Sequence, residues 1–292
     1  MTALATNNTV NPPLACPGSP MPDTEIVFCE KHGDYTAKRA EVMGKVFHTR
    51  CPVCQVEAAE EKTKQERMVL QQEMTSRIES LTRQAAIPLR FASRTFDNFR
   101  ADSQGKQKAM QICRSMAEGF DASLTHGTSL LMCGKPGTGK SHLAAAMAQA
   151  VIKQGRSAVY TSVLRAVRSI KDTYRKDSAI TEQVAINAYI LPDLLILDEV
   201  GVQFGSETEK MYLFEILNGR YESLKPTIVI TNLSPSEVSV YLGERIMDRL
   251  AEGGGGTLIF DWESYRSKVA GDLVLPTTPP KPVNWLPARK TF

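Results

Sequence analysis

Apolar residues in this chain cluster into short, regularly repeated runs. Ser129-Leu130-Leu131-Met132-Cys133, Ser157-Ala158-Val159-Tyr160-Thr161-Ser162-Val163, Leu194-Leu195-Ile196-Leu197, Thr227-Ile228-Val229-Ile230 and Thr257-Leu258-Ile259-Phe260 are separated by longer amphipathic stretches. Runs of this length flanked by polar or glycine residues predict strands buried on both faces. In the intervening stretches apolar positions recur every three or four residues: Ala109, Ile112, Cys113 and Met116; Leu143, Met147, Ala150 and Val151; Met211, Phe214, Leu217 and Tyr221. That spacing predicts helices with one core-facing stripe. Alternating strands and helices predict an α/β domain with a parallel central sheet flanked by helices.

Ahead of this domain the pattern changes. From Val56 to about Ala86 the chain is charged and helix-prone, and Leu70, Met74, Ile78 and Leu81 fall on one face. Such a stripe on a linking helix either packs back on its own domain or lies in a partner's groove. Pro88 ends the helix, and Phe91, Phe96 and Phe99 predict an entry segment packed on the α/β domain.

The first core run leads into Gly134-Lys135-Pro136-Gly137-Thr138-Gly139-Lys140-Ser141, and a helical pattern follows. This strand, glycine-rich loop and helix is the context in which G-x-x-x-x-G-K-[ST] cradles the phosphates of a nucleoside triphosphate. Its glycines let backbone N–H groups turn inward, Lys140 adds a point charge, and the Ser141 hydroxyl ligates Mg²⁺. Leu194 to Leu197 ends in Asp198-Glu199, two carboxylates at the carboxyl end of a strand. Asp198 is expected to hold Mg²⁺ and Glu199 to orient the attacking water. Asn232 ends the Thr227 run, where it either reaches the γ-phosphate or serves the turn before Ser234-Pro235. Arg245 and Arg249 lie one helical turn apart after the Thr227 run, placed to reach a neighbouring subunit's nucleotide. The stretch from Leu164 to about Lys176 predicts a basic helix on which Arg168, Lys171 and Arg175 share a face, with Tyr174 among them. Such a face is either simply solvated or holds phosphates while the ring stacks on an unpaired base.

With 42% hydrophobic and 23% charged residues, the 292-residue chain has enough material for one good-sized core and a small accessory module. No run of about eighteen apolar residues occurs and the first residues lack signal-peptide blocks, so a soluble, cytoplasmic protein is expected. A net charge of +3 is too slight to argue for nucleic acid by itself, which leaves that case to local patches. Of six cysteines, only Cys51 and Cys54 form a C-x-x-C. They follow Cys29 and His32, spaced the same way, and two such pairs close a tetrahedral Zn²⁺ site of structural type. His48, three residues before Cys51, competes with His32 as the fourth ligand. Cys113 and Cys133 read as small core residues. The expected organisation is a leader over 1–24, a zinc-binding module over 25–56, a linker helix over 57–87, the ATPase domain over 88–271 and a proline-rich tail over 272–292.

The strings 134–146, Ile170 to Tyr174, Leu197-Asp198-Glu199-Val200-Gly201, Leu242 to Leu250 and Phe260 to Ser267 together resemble the DnaC-type replicative helicase loaders, AAA+ ATPases related to IstB-like transposition helpers. The resemblance runs from about Phe96 to Gly271. It implies an AAA+ P-loop ATPase domain using ATP/ADP and Mg²⁺, with Gly134, Pro136, Gly137, Thr138, Gly139, Lys140, Ser141 and His142 along the nucleotide. By the same resemblance Asp198 and Glu199 are the Walker B pair, Asn232 the γ-phosphate sensor, Arg249 the arginine finger and Arg266 the second sensor. Lys171 and Tyr174 become part of the single-stranded DNA contact. The implied partners are a hexameric replicative helicase, single-stranded DNA and further copies of the chain joined through nucleotide sites, with no membrane. The N-terminal zinc-ribbon-like module departs from the best-known loaders, whose helicase-binding domain is helical. Two other functions fit the same residues: an IstB-like helper acting beside a transposase, or a zinc-dependent DNA-binding adaptor with a degenerate nucleotide site.

Overall fold

The computed structural model describes residues 23–201 and 206–265; most of the leader, Arg266 and the tail over 272–292 lie outside the described residues. The chain forms two compact units that part between residues 73 and 74, inside a long helix.

In the first unit, β1 (Thr24–Cys29), β2 (Gly33–Val42) and β3 (Lys45–His48) form an antiparallel sheet in that order. Met43 and Gly44 both have positive φ, 52° and 74°, the backbone that a two-residue hairpin between right-twisting strands requires. The helix α1 (Pro52–Gln84) begins directly after Cys51, several residues before the charged run that announced it. Proline suits a first helical position, where its missing N–H has no partner to lose.

The second unit starts with the end of α1. Ile78 and Leu81 pack against the core there, whereas Leu70, on the same stripe, is 64% exposed in the first unit. Beyond α1 the Ala85 carbonyl accepts from Tyr160 N–H at 2.8 Å, tying the helix end to a sheet edge. Then come α2 (Gln104–Glu118), α3 (Phe120–His126), β4 (Leu130–Gly134), α4 (Lys140–Lys153), β5 (Ala158–Ser162), α5 (Val163–Lys171), α6 (Glu182–Ile190), β6 (Leu194–Val200), α7 (Glu207–Glu222), β7 (Thr227–Thr231), α8 (Pro235–Leu242), α9 (Glu244–Ala251) and β8 (Gly256–Phe260). The basic helix is shorter than its charge pattern suggests, since α5 stops at Lys171 and a 3-10 turn carries Asp172–Tyr174.

All five strands of the second sheet are parallel, in the order β5-β6-β7-β4-β8. Side chains alternate between its faces. Leu130, Met132, Leu194, Ile196, Ile228 and Ile230 face α2 and α4, while Leu131, Cys133, Leu195, Leu197 and Val229 face α5 to α9. This two-sided burial is why the strands read as unbroken apolar runs rather than alternating ones.

Arg220 of α7 is fully buried. Its Nη1 donates to the carbonyls of Tyr189, Ile190 and Pro192 at 2.8–2.9 Å, its Nη2 to Pro226 O at 2.6 Å, and its Nε to Thr227 Oγ1 at 2.8 Å. Burial pushes the guanidinium down to about 9, so it stays charged at neutral pH. The charge holds the loops entering β6 and β7 side by side.

Candidate nucleotide and metal sites

The sheet order decides what meets at its carboxyl edge. β7 separates the phosphate-loop strand β4 from β6, so the residue ending β7 lies between the loop and the Asp198-Glu199 pair. Asn232 occupies that place and accepts from Lys140 Nζ at 3.0 Å. Lys140 is only 5% exposed; its ammonium also donates to the Lys135 carbonyl at 2.8 Å and to the Gly134 carbonyl. On the other side of the loop Ser141 Oγ donates to Asp198 Oδ2 at 3.0 Å. The expected Mg²⁺ pair is thus in contact, one hydroxyl and one carboxylate oxygen, a donor set suited to a hard cation. Lys140, Ser141, Asp198 and Asn232 are brought together by three strand ends and the first turn of α4.

The loop's backbone fits the cradle role. Gly134, Gly137 and Gly139 have φ of 136°, 79° and 102°, which side-chain-bearing residues avoid. A Cβ on Gly134 would come within 2.2 Å of the Phe260 carbonyl, and one on Gly139 within 2.6 Å of the Phe99 ring. The first turn of α4 carries no side-chain cap and points the positive end of its dipole at the loop, as anion binding requires. Thr138 Oγ1 donates to Lys135 O at 2.8 Å, closing the loop on itself. His142 turns the other way: its ring donates from Nε2 to Thr95 O at 2.9 Å and meets Phe99 edge-on. Burial depresses its basicity, so it serves as a neutral prop for the entry segment.

Glu199 is set apart from Asp198 by an irregularity in the β6–β7 ladder between Leu197 and Val200. Its φ is +61°, strained for a non-glycine residue, and its carboxylate is exposed at the strand end. Tyr160 is a site residue that periodicity missed. Its hydroxyl donates to Asp198 Oδ2, and burial together with that carboxylate raises its pKa. The Ala158–Ser162 run reads as plain strand, so only the register of β5 on β6, which sets Tyr160 beside Ile196, brings it to the site.

The remaining candidates are not gathered here. Arg249 is half-buried on its own subunit, donating to Asn218 Oδ1 with its guanidinium 5.1 Å from the Tyr221 ring. Arg266 lies outside the described residues. Arg165, Arg168, Lys171 and Arg175 are exposed, and the Tyr174 ring is 61% exposed. The Tyr174 hydroxyl is held by Glu182 Oε1 at 2.6 Å and by the hydroxyl of buried Tyr212.

In the first unit Cys29, His32, Cys51 and Cys54 converge, with their ligand atoms all within 4.8 Å of one another. His32 Nδ1 lies 3.9, 3.7 and 3.3 Å from the Cys29, Cys51 and Cys54 sulfurs, and the Cys29 and Cys54 sulfurs are 3.6 Å apart. Tetrahedral Zn²⁺ with bonds of about 2.3 Å to sulfur and about 2.0 Å to nitrogen has edges of roughly 3.5–3.8 Å. The cluster therefore fits zinc. Backbone N–H groups of Lys31 and His32 hold the Cys29 thiol down at about 6, while hydrogen bonding to Cys29 pushes Cys54 up to about 11. His32 Nε2 donates to Glu57 Oε1 at 3.1 Å, which leaves Nδ1 free to bind metal. His48 instead faces Glu25 Oε2 at 3.0 Å and takes no part in the cluster.

Residues 53–269 match the family model described as IstB-like ATP binding protein. The chain is 38% identical over 177 residues to the replicative helicase loader DnaC of Escherichia coli (strain K12), spanning 61% of this chain and 71% of that one. The crystal structure of the DnaC helicase loader superposes with a TM-score of 0.53 at 22% identity, covering 59% of this chain and 98% of that one. The replication initiator DnaA bound to AMPPCP and single-stranded DNA superposes at 0.51 with 23% identity, covering 64% and 55%. Those two superpositions bear on the fold. Among the described residues no helix is long and apolar enough to cross a membrane.

Proposed function

The chain belongs to the IstB-like family of ATP-binding proteins that includes DnaC, and on that footing we propose that it is an ATP-dependent loader of the replicative DNA helicase onto single-stranded DNA. The observation that carries this reading is the 38% identity to a helicase loader, extending over 71% of that loader's length.

In this reading the loop N–H groups and Lys140 hold the ATP phosphates, exchanging the lysine's contacts with loop carbonyls for phosphate oxygens. Ser141 and Asp198 hold Mg²⁺, which supplies charge neutralisation on the phosphates, and Tyr160 keeps the Asp198 carboxylate oriented. Glu199 accepts a proton from the water aimed at the γ-phosphorus, and Asn232, giving up Lys140, donates its amide N–H to a γ-phosphate oxygen, so that Asn232 registers whether ATP or ADP is bound. Arg249, once released from Asn218, completes the charge compensation from a neighbouring copy of the chain, and Arg266 acts as the second sensor. Lys171 and Tyr174 grip single-stranded DNA by charge and stacking, and ATP turnover acts as a timer for release of helicase and DNA. The four-ligand zinc has no open coordination position and serves the fold of the module.

The test is capture of the replicative helicase by the tagged full-length chain, with ATP and with ADP. Binding that depends on nucleotide, with ATP hydrolysis abolished in Glu199→Gln, is the expected result. A wild type that hydrolyses ATP but ignores the helicase in both states fits the transposition-helper activity instead and sinks the loader reading.

A further inference from the structure

The chain just past β8 reaches back to the phosphate loop. Trp262 Nε1 donates to the Thr138 carbonyl at 2.8 Å, and the Tyr265 backbone N–H donates to the Gly137 carbonyl at 2.9 Å. None of the chemistry above uses these two contacts.

Their effect follows from the planarity of the peptide bond. The Gly137 carbonyl belongs to the same rigid trans unit as the Thr138 N–H, and the Thr138 carbonyl to the same unit as the Gly139 N–H. In a trans peptide the N–H points opposite to the C=O, so a donor that fixes the carbonyl also aims the N–H. The strap formed by Trp262 and Tyr265 therefore turns two successive loop N–H groups away from itself. N–H groups at these positions are the ones a phosphate loop presents to its ligand.

The strap is firmly seated. β8 pairs with β4 up to the Phe260–Gly134 register, so the strap leaves the sheet beside the start of the loop. The indole packs on Phe260, with ring centroids 4.9 Å apart, and lies over the first turn of α2, where a Cβ on Gly105 would come within 3.3 Å of it. Gly105 is thereby explained, since a glycine inside a helix costs about 1 kcal/mol relative to alanine. The Arg100 guanidinium sits 5.8 Å from the centre of the Tyr265 ring.

We propose that Trp262 and the Tyr265 backbone are positioning residues of the phosphate cradle, orienting the Thr138 and Gly139 N–H groups for nucleotide. Linkage makes the relation reciprocal: a strap that favours nucleotide binding is itself steadied by bound nucleotide. Trp262 is thus a built-in reporter of occupancy. The proposal rests on the ATP-binding reading of the loop.

Two variants of the full-length chain test it. Trp262→Phe keeps an aromatic ring against Phe260 and α2 and loses the N–H donor. Its dissociation constants for Mg-ATP and Mg-ADP, measured by calorimetry, are expected to rise roughly 3- to 10-fold, the worth of one hydrogen bond. The melting midpoint without nucleotide is expected to fall by no more than one lost hydrogen bond costs, while the further rise conferred by saturating Mg-ATP shrinks, which a merely structural role for the indole would not produce. Trp285→Phe leaves Trp262 as the sole tryptophan of the two in the chain, and its emission is expected to shift when nucleotide is added. Wild-type affinity in Trp262→Phe overturns the proposal, and so does an emission unmoved at saturating nucleotide. Should Trp262→Phe fold poorly, the emission of Trp285→Phe decides alone. A wild type that binds neither ATP nor ADP overturns the ATP reading and the proposal with it.

Discussion

The two sheets of this protein solve the same problem by different means. The five-stranded sheet is covered on both faces, and its central strands present Leu195, Ile196, Val229 and Met132 fully or almost fully buried. The three-stranded sheet of the first unit leaves Ile26, Phe28, Val42 and Phe47 exposed, and among the described residues of that unit only Ala37 and Cys51 are buried. A core of two residues cannot offset the chain entropy of a unit this size, so the smaller unit needs cross-links between side chains. Cys29, His32, Cys51 and Cys54 supply them, joining the first hairpin to the start of α1. One unit draws its stability from buried area; the other has a ligand cluster through which bound zinc would supply it.

The sharpest way to separate them is to remove the metal. Chelation, or Cys51→Ser, is expected to unfold residues 25–56 outright, because structural zinc contributes about 10–16 kcal/mol in small modules of this kind. Wild-type protein is expected to carry one zinc per chain by elemental analysis, and ATP affinity of the larger unit to persist after chelation. A chelated protein whose β1–β3 amides keep their protection would show that the small sheet stands without coordination. The complementary perturbation is Arg220→Met, which removes the guanidinium donors to the carbonyls of Tyr189, Ile190, Pro192 and Pro226. It is expected to lower the unfolding free energy of the larger unit by about 3–5 kcal/mol in urea while zinc content is unchanged. The finest probe is a pair on the single helix that serves both units. Ile78→Ala removes a side chain packed on the core and is expected to cost about 1–2 kcal/mol, whereas Leu70→Ala, at an exposed position, is expected to stay within about 0.5 kcal/mol. Equal losses from the two would mean that the stripe is buried along its whole length.

The parts legible in the sequence were those written in consecutive residues. The phosphate loop, the strands of the large sheet and the Asp198-Glu199 pair each announce themselves within ten positions, because doubly buried strands must be apolar and a phosphate cradle must have glycine where φ is positive. Repeated spacing pointed to Cys29, His32, Cys51 and Cys54, but the choice between His32 and His48 needed the sheet, whose geometry turns His48 toward Glu25. What stayed illegible were contacts between residues far apart in sequence. Tyr160 looks like any strand tyrosine, Trp262 lies 124 positions from the carbonyl it binds, and Arg220 sits in a helix most of whose other charges lie at the surface. The stripe from Leu70 to Leu81 was legible only in part: periodicity shows that residues share a face and not how far along it the face is covered. α6 was hidden as well, since its short stretch blends into the basic segment before it.

Arg220 also bears on the order in which the larger unit can assemble. Its acceptors come from the end of α6 and the chain entering β6 on one side and from Pro226 and Thr227 at the start of β7 on the other, and neither set alone satisfies the guanidinium. A partly folded sheet that docked α7 against β6 but lacked β7 would strand a charge in the interior with half its partners, a state several kcal/mol above its alternatives. The two strands are thereby pressed to form in one cooperative step, and native-state hydrogen exchange should find their amides opening at a common free energy. Since β6 delivers Asp198 and β7 delivers Asn232, a single interior arginine makes the two sides of the nucleotide site appear together or not at all.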